Sequence, residues 1–172
     1  MSLVKLNISR GVTGTLPTSN YVQGGITEAD QWRTTGNISS NGDITSNLER
    51  VDTTGFSKIG TGWSQSSGIF SAPSTGIYKV KFTIQGYGTS GDNINGYIKI
   101  TTNNSSYSAV ARCNFSGVAS YNVSSTDFYF DITDTSTHKC KFELTSIGGS
   151  AAVVGDTNET WTNMTFIRLG DT

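Results

Sequence analysis

The clearest pattern in the chain runs from Gly68 to Ile84. A short apolar segment, Ile69-Phe70-Ser71-Ala72, leads into Pro73-Ser74-Thr75-Gly76 and then a strict alternation. Tyr78, Val80, Phe82 and Ile84 share one parity, while Lys79, Lys81 and Thr83 share the other. Period-2 alternation with one apolar face marks a strand that covers a core. Comparable runs predict strands at about 69–72, 77–85, 96–102, 107–115, 119–123, 127–132, 138–145, 151–154 and 161–169. The segments between them are rich in Gly, Asn, Asp and Ser, as in Gly86-Tyr87-Gly88-Thr89-Ser90-Gly91-Asp92-Asn93. Neither a helical period nor an internal repeat is present. Short strands at this spacing predict a sandwich or barrel. Its core face is expected to carry Phe70, Tyr78, Val80, Phe82, Ile84, Phe128, Phe130, Phe142, Leu144 and Phe166.

The N-terminal part reads differently. Leu3, Val4, Leu6 and Ile8 form one short apolar patch, and Gly11-Val12-Thr13-Gly14-Thr15-Leu16-Pro17 follows as an extended linker. Residues 1–25 are therefore expected to be an arm, with Leu3, Val4, Leu6 and Ile8 as its anchoring residues. A strand-like patch of this kind can add to an open sheet edge on a partner. The main domain is expected over 26–172. It opens with Trp32 among Glu28, Asp30 and Arg33, and continues through Val51 and Phe56.

Composition sharpens this picture. The chain of 172 residues suits one domain with a short arm. Only 15% of residues are charged and 34% hydrophobic, so Ser, Thr and Asn supply most of the polarity. Those side chains compete with helix hydrogen bonds and favour strands and turns. A net charge of −1 with scattered basic residues gives no case for nucleic acid. No apolar run approaches the roughly 20 residues needed to span a bilayer, and Met1 to Arg10 has no signal-type apolar core. The chain is therefore expected to fold where it is made, without membrane insertion. Cys113 and Cys140 are the two cysteines. Cys140 alternates with Phe142 and Leu144, which favours a buried free thiol over a disulfide.

The Phe70–Ile84 hairpin resembles the early hairpin of jelly-roll domains in tumour necrosis factor-like ligands and the complement globular head. In that superfamily a Phe strand, a Pro-Gly turn and a Tyr-led strand share this spacing. The segment Trp161 to Asp171 resembles its last strand, which returns beside the first. The likeness covers about residues 26–171. It implies an all-β jelly-roll sandwich of two antiparallel sheets with an extended N-terminal arm, assembled as a homotrimer and acting as a non-enzymatic binding module. Gly25 to Arg33, Gly55 to Gly62 and Val12 to Pro17 also resemble the Gly/Ser/Thr-rich jelly rolls of phage fibre and head-surface proteins. That second likeness implies a bacteriophage virion structural protein: a decoration, short-fibre or tail-associated subunit made in the host cytoplasm. Its arm would hold other virion proteins, and its jelly roll would serve host attachment through a surface glycan. The alternative is a free secreted ligand-binding module, complement-head-like or lectin-like. Tyr97, Tyr129 and Trp161 alternate out of phase with Ile98/Ile100, Phe128/Phe130 and Met164/Phe166. They are the candidate trimer-interface residues, since the resembling trimers pack aromatic faces around a threefold axis.

Enzymatic chemistry finds little footing. His138 is the only histidine and is expected at the surface. No nucleophile elbow, phosphate loop or Cys/His metal spacing is present. Asp127, Asp131 and Asp134 cluster in sequence, but Asp127 and Asp131 lie about 13 Å apart along a strand. A calcium shell needs six or more oxygens around one ion, so solvated charge is the expectation and no cofactor is assigned. Asn-X-Ser/Thr triplets abound, for example at Asn103, Asn114, Asn158 and Asn163, as chance predicts with this much Ser and Thr. A glycosidase would need two carboxyl groups about 5–10 Å apart in a cleft, and no such pair is apparent.

Overall fold

The computed structural model describes residues 25–88, 93–116 and 120–172. Within them the chain forms β1 (Ala29–Thr34), β2 (Gly42–Asp43), β3 (Leu48–Arg50), β4 (Ser64–Ser66), β5 (Ile69–Ser71), β6 (Gly76–Tyr87), β7 (Asn93–Thr101), β8 (Ser108–Ser116), β9 (Asn122–Ile132), β10 (Lys139–Thr145), β11 (Ala152–Val153) and β12 (Asn163–Gly170). No helix occurs among the described residues. The anchoring residues expected at Leu3, Val4, Leu6 and Ile8 lie outside them.

The strands make two antiparallel sheets. The first runs β9-β6-β12-β1-β3, with β11 pairing the far end of β6 beyond β12. The second runs β4-β5-β10-β7-β8, with β2 beside the far end of β10. The expected return of the last strand beside the first is present: Ala29 to Arg33 of β1 pair with Ile167 to Asn163 of β12. On one flank β8 lies against β9, so that side of the sandwich is closed by the two edge strands themselves. On the other flank lie β3 and β4, joined by the irregular segment 51–63.

The strand β6 sets the core. Its buried residues include Tyr78, Val80, Phe82 and Ile84, as the alternation requires. Opposite them Phe70, Ile98, Phe142 and Leu144 come from the second sheet and are equally buried. The rings interlock across the gap: Phe82 lies 4.9 Å from Phe142, and Phe70 lies 5.3 Å from both Phe142 and Phe166. Tilted and edge contacts of this kind add to the area they bury. Gly96 of β7 makes one of the closest approaches, since a Cβ there would lie 2.8 Å from Cε1 of Phe82. Nine of the ten expected core residues are buried; Phe128 is only half-buried. Its strand, β9, is the sheet edge, and the residues inward-facing at its start are half-covered too.

Two further expectations change. The runs 119–123 and 127–132 join as one strand, because β6 pairs β9 without a break from Gly76 to Gly86. His138 is buried rather than at the surface. Its ring stacks on Phe130 at 5.8 Å, and its nitrogens meet the hydroxyls of Thr133 and Thr137. The tight Asp134–His138 turn, closed by a 2.9 Å bond from His138 N to Asp134 O, folds the ring inward.

Cys113 and Cys140 are free and buried. Cys113 pairs in register with Gly96 and Cys140 with Ile100, on either side of β7. They are therefore four residues apart along that strand, about 13 Å, beyond disulfide reach. Burial pushes the Cys113 thiol up to about 11 and Cys140 higher still.

Phe82→Ala is expected to lower stability by about 3–5 kcal/mol, and Gly96→Ala by about 1–3 kcal/mol through overpacking; chemical denaturation reads both. If Phe82→Ala unfolds at the wild-type midpoint, the strand phase is wrong. A thiol reagent is expected to label neither cysteine in the native protein and both after unfolding in denaturant.

Candidate interaction surfaces

Both outer faces and one flank are held by polar and aromatic side chains whose partners the sequence alone left open. On the flank, Asp30 is buried in β1. Its carboxylate accepts from Gln31 N, Trp32 Nε1 at 3.0 Å, Arg50 Nε at 3.0 Å and Trp63 N at 2.8 Å. Arg50 also donates to the Trp63 carbonyl and lies 4.9 Å from the centre of the Trp32 ring. Two residues earlier, Glu28 accepts from Thr61 N and Gly62 N. Together the two carboxylates hold the end of segment 51–63. Trp63 thereby inserts against the first sheet, stacked on Phe166 at 4.2 Å and edge-on to Tyr78 at 5.3 Å.

Arg33 faces the other way from Asp30 along β1, and is fully buried. It donates to Glu49 at 2.7 Å, Asp52 at 2.6 Å, Thr53 Oγ1 and the Thr157 carbonyl. A buried guanidinium is tolerated only when its donors are used in this way. The result ties β3 and the loop after it to the loop that precedes β12.

The outer face of the first sheet is mixed in character. Tyr129 (60% exposed) stands in register with Lys79, and Lys79 reaches Asp127 at 2.7 Å. That hydrogen bond and charge hold the Lys79 ammonium above its ordinary range. Gln31 donates to Thr165 across the centre of the face. At its far end an aromatic chain forms, with Tyr87 edge-on to Tyr121 and Tyr121 edge-on to Trp161, each at 5.6 Å. The indole N–H of Trp161 donates to Glu159.

The outer face of the second sheet is ionic. Lys99 pairs with Asp43 and Glu143, and Lys141 with Asp43, while Lys141 also lies 4.2 Å from the centre of the Tyr107 ring. Tyr97 lies on this face, directly opposite Arg112 of β8.

The three aromatic residues expected at a trimer interface are thus not one patch within a protomer. Tyr129 and Trp161 belong to the two ends of the first sheet, and Tyr97 to the second. Tyr121, Tyr87 and Val123 were missed, although Tyr121 and Val123 share the parity of Tyr129. Asp127 is taken up by Lys79, and Asp134 accepts from the Ser136 amide and hydroxyl, which hold its carboxyl below its ordinary value.

Asp30→Ala is expected to destabilise the domain by about 3 kcal/mol, because it strands the Arg50 charge and the Trp63 amide. Tryptophan emission should shift to the red as Trp63 leaves the core. A variant with wild-type emission and melting temperature would mean that Asp30 does not hold the segment.

No protein-family model matches the chain, and no curated relative does either. Solved structures are similar. Murine APRIL at pH 5.0 superposes with a TM-score of 0.61 at 12% identity, over 83% of this chain and 98% of the chain in that structure. The Eiger TNF from S. frugiperda gives 0.63 at 15% identity, over 84% of this chain and 93% of its own. The PRD1 vertex protein P5 overlaps with a TM-score of 0.49 at 20% identity, over 86% of this chain and 100% of that one. The described part of the chain is an all-β, TNF-like jelly roll.

Proposed function

We propose that this chain is a non-enzymatic structural subunit of a bacteriophage virion, trimeric through the outer face of its first sheet and attached by residues 1–25. One observation carries the trimer reading. The exposed large apolar residues Ile77, Tyr121, Val123, Tyr129 and Leu169 all lie on the first sheet or its margins, and Ile26 and Ile59 lie beside its β1. Among the described residues the second sheet contributes none. Exposed apolar side chains gathered at the two ends of one face are contact points in waiting, and a closed ring of three satisfies them without leaving an open end. The virion reading is supported by the phage-like segments around Gly25–Arg33 and Gly55–Gly62 and by the patch-plus-linker arm.

A second reading, a free ligand module, is favoured by the likeness to APRIL and the Eiger TNF. Purification separates the two: a virion protein copurifies with particles at fixed stoichiometry, and a secreted ligand does not.

Light scattering of residues 26–172 should give three chains per particle, and Val123→Asp with Tyr129→Glu should give folded monomers. A wild-type monomer at micromolar concentration defeats the trimer. Deleting residues 1–16 should leave melting temperature and trimer intact while abolishing incorporation into the particle, since three weak arms act together. Normal incorporation without the arm would remove the anchor; loss of the trimer would make the arm part of the domain.

A further inference from the structure

We propose that the second sheet carries a binding site for a carboxylated pyranose, a sugar acid at the end or side of a glycan, in the groove between Tyr97 and Arg112. The groove is lined by Tyr97, Ala109, Val110, Ala111 and Arg112. Its shape comes from an irregularity in the ladder. Ile98 pairs with Ala111 and Lys99 with Ala109, so Val110 is an extra residue on β8. A bulge bends the strand it sits in and re-aims its side chains. Here it turns Val110 and Ala111 toward the core, so that the small, exposed Ala109 is left between Tyr97 and the rim and the floor stays shallow.

Charge selects the ligand. Lys99 and Lys141 are neutralised by Asp43 and Glu143, and Lys139 donates to the Thr135 carbonyl. Arg112 is the cation of this face for which the described residues supply neither an acid nor a hydrogen-bond partner. An exposed guanidinium forms two parallel bonds with a carboxylate. The half-buried Tyr97 ring offers a flat apolar wall with a hydroxyl at its edge. A pyranose has the complementary form: a flat hydrocarbon face, hydroxyls around its rim and, in a sugar acid, one carboxylate. A shallow groove holds such a ring weakly, with a dissociation constant on the order of millimolar. Three copies on one trimer would gain avidity. The site is complete in one protomer. Its accessibility in the assembly rests on the proposed trimer closing through the opposite sheet.

The test uses the full chain and NMR titration with D-glucuronate, N-acetylneuraminate and neutral D-glucose. At least one acid should shift the amides of Tyr97 and Ala109 to Arg112, and glucose should bind about tenfold more weakly or not at all. Which acid binds tells uronic from sialic sources. Arg112→Gln and Tyr97→Ala should each weaken the acid about tenfold, with melting temperature unchanged for Arg112→Gln. The proposal is overturned if neither acid binds at saturating millimolar concentrations, or if Arg112→Gln binds as wild type. Shifts centred on Tyr121 and Trp161 overturn it as well, as does capture of a C-terminal peptide carboxylate in preference to both sugars. A monomeric protein that still binds through Arg112 would retire the trimer and leave this site standing.

Discussion

The sandwich depends on one buried carboxylate. Asp30 sits in β1, yet its most consequential bond is to the backbone of Trp63, thirty-three residues on. On the β8/β9 flank two strands lie against each other and close the core unaided. On the β3/β4 flank no strand is long enough to do so, and segment 51–63 must be brought in to cover the gap. Trp63 is the piece that fills it, stacked on Phe166 and edge-on to Tyr78. Burying an unpaired carboxylate is costly, so Asp30 is stable only with Arg50, Trp32 and the Trp63 amide all in place. The segment docks as a unit or leaves the charge uncompensated.

Arg33 repeats the logic on the opposite side of the same strand. Its guanidinium gathers Glu49, Asp52, Thr53 and the Thr157 carbonyl into one knot. A single six-residue strand thus carries an acid on one face and a base on the other, each holding a loop that has little regular structure of its own. This is how a chain with only 15% charged residues orders its long connections: a handful of charges on and beside β1 hold the loops that packing alone would leave loose.

The two outer faces divide the remaining work. On the second sheet, charges are paired across β2, β7 and β10, as suits a face in water. On the first, polar residues occupy the centre while aromatic and aliphatic side chains gather at both ends. Those exposed apolar ends are what set the first face apart from the second. The ionic sheet keeps one irregularity, the bulge at Val110 of β8.

The sequence by itself determined what depends on neighbours along one strand. Alternation in β6 named the buried residues Tyr78 to Ile84, and the same rule found Phe142, Leu144 and Cys140. It went wrong where coverage depends on something distant: Phe128 has the right parity but sits on an edge strand, and His138 was turned inward by a tight turn that no periodicity reveals. Parity also tells that Tyr97, Tyr129 and Trp161 face away from the core, but not that Tyr97 belongs to the other sheet. Only the tertiary structure decided the partners of Asp30 and Arg33, because bonds across 33 or 124 positions leave no local trace. Strand phase is a short-range property of side-chain direction. Loop docking and surface pairing are set by which segments the closed sandwich happens to bring within hydrogen-bond reach.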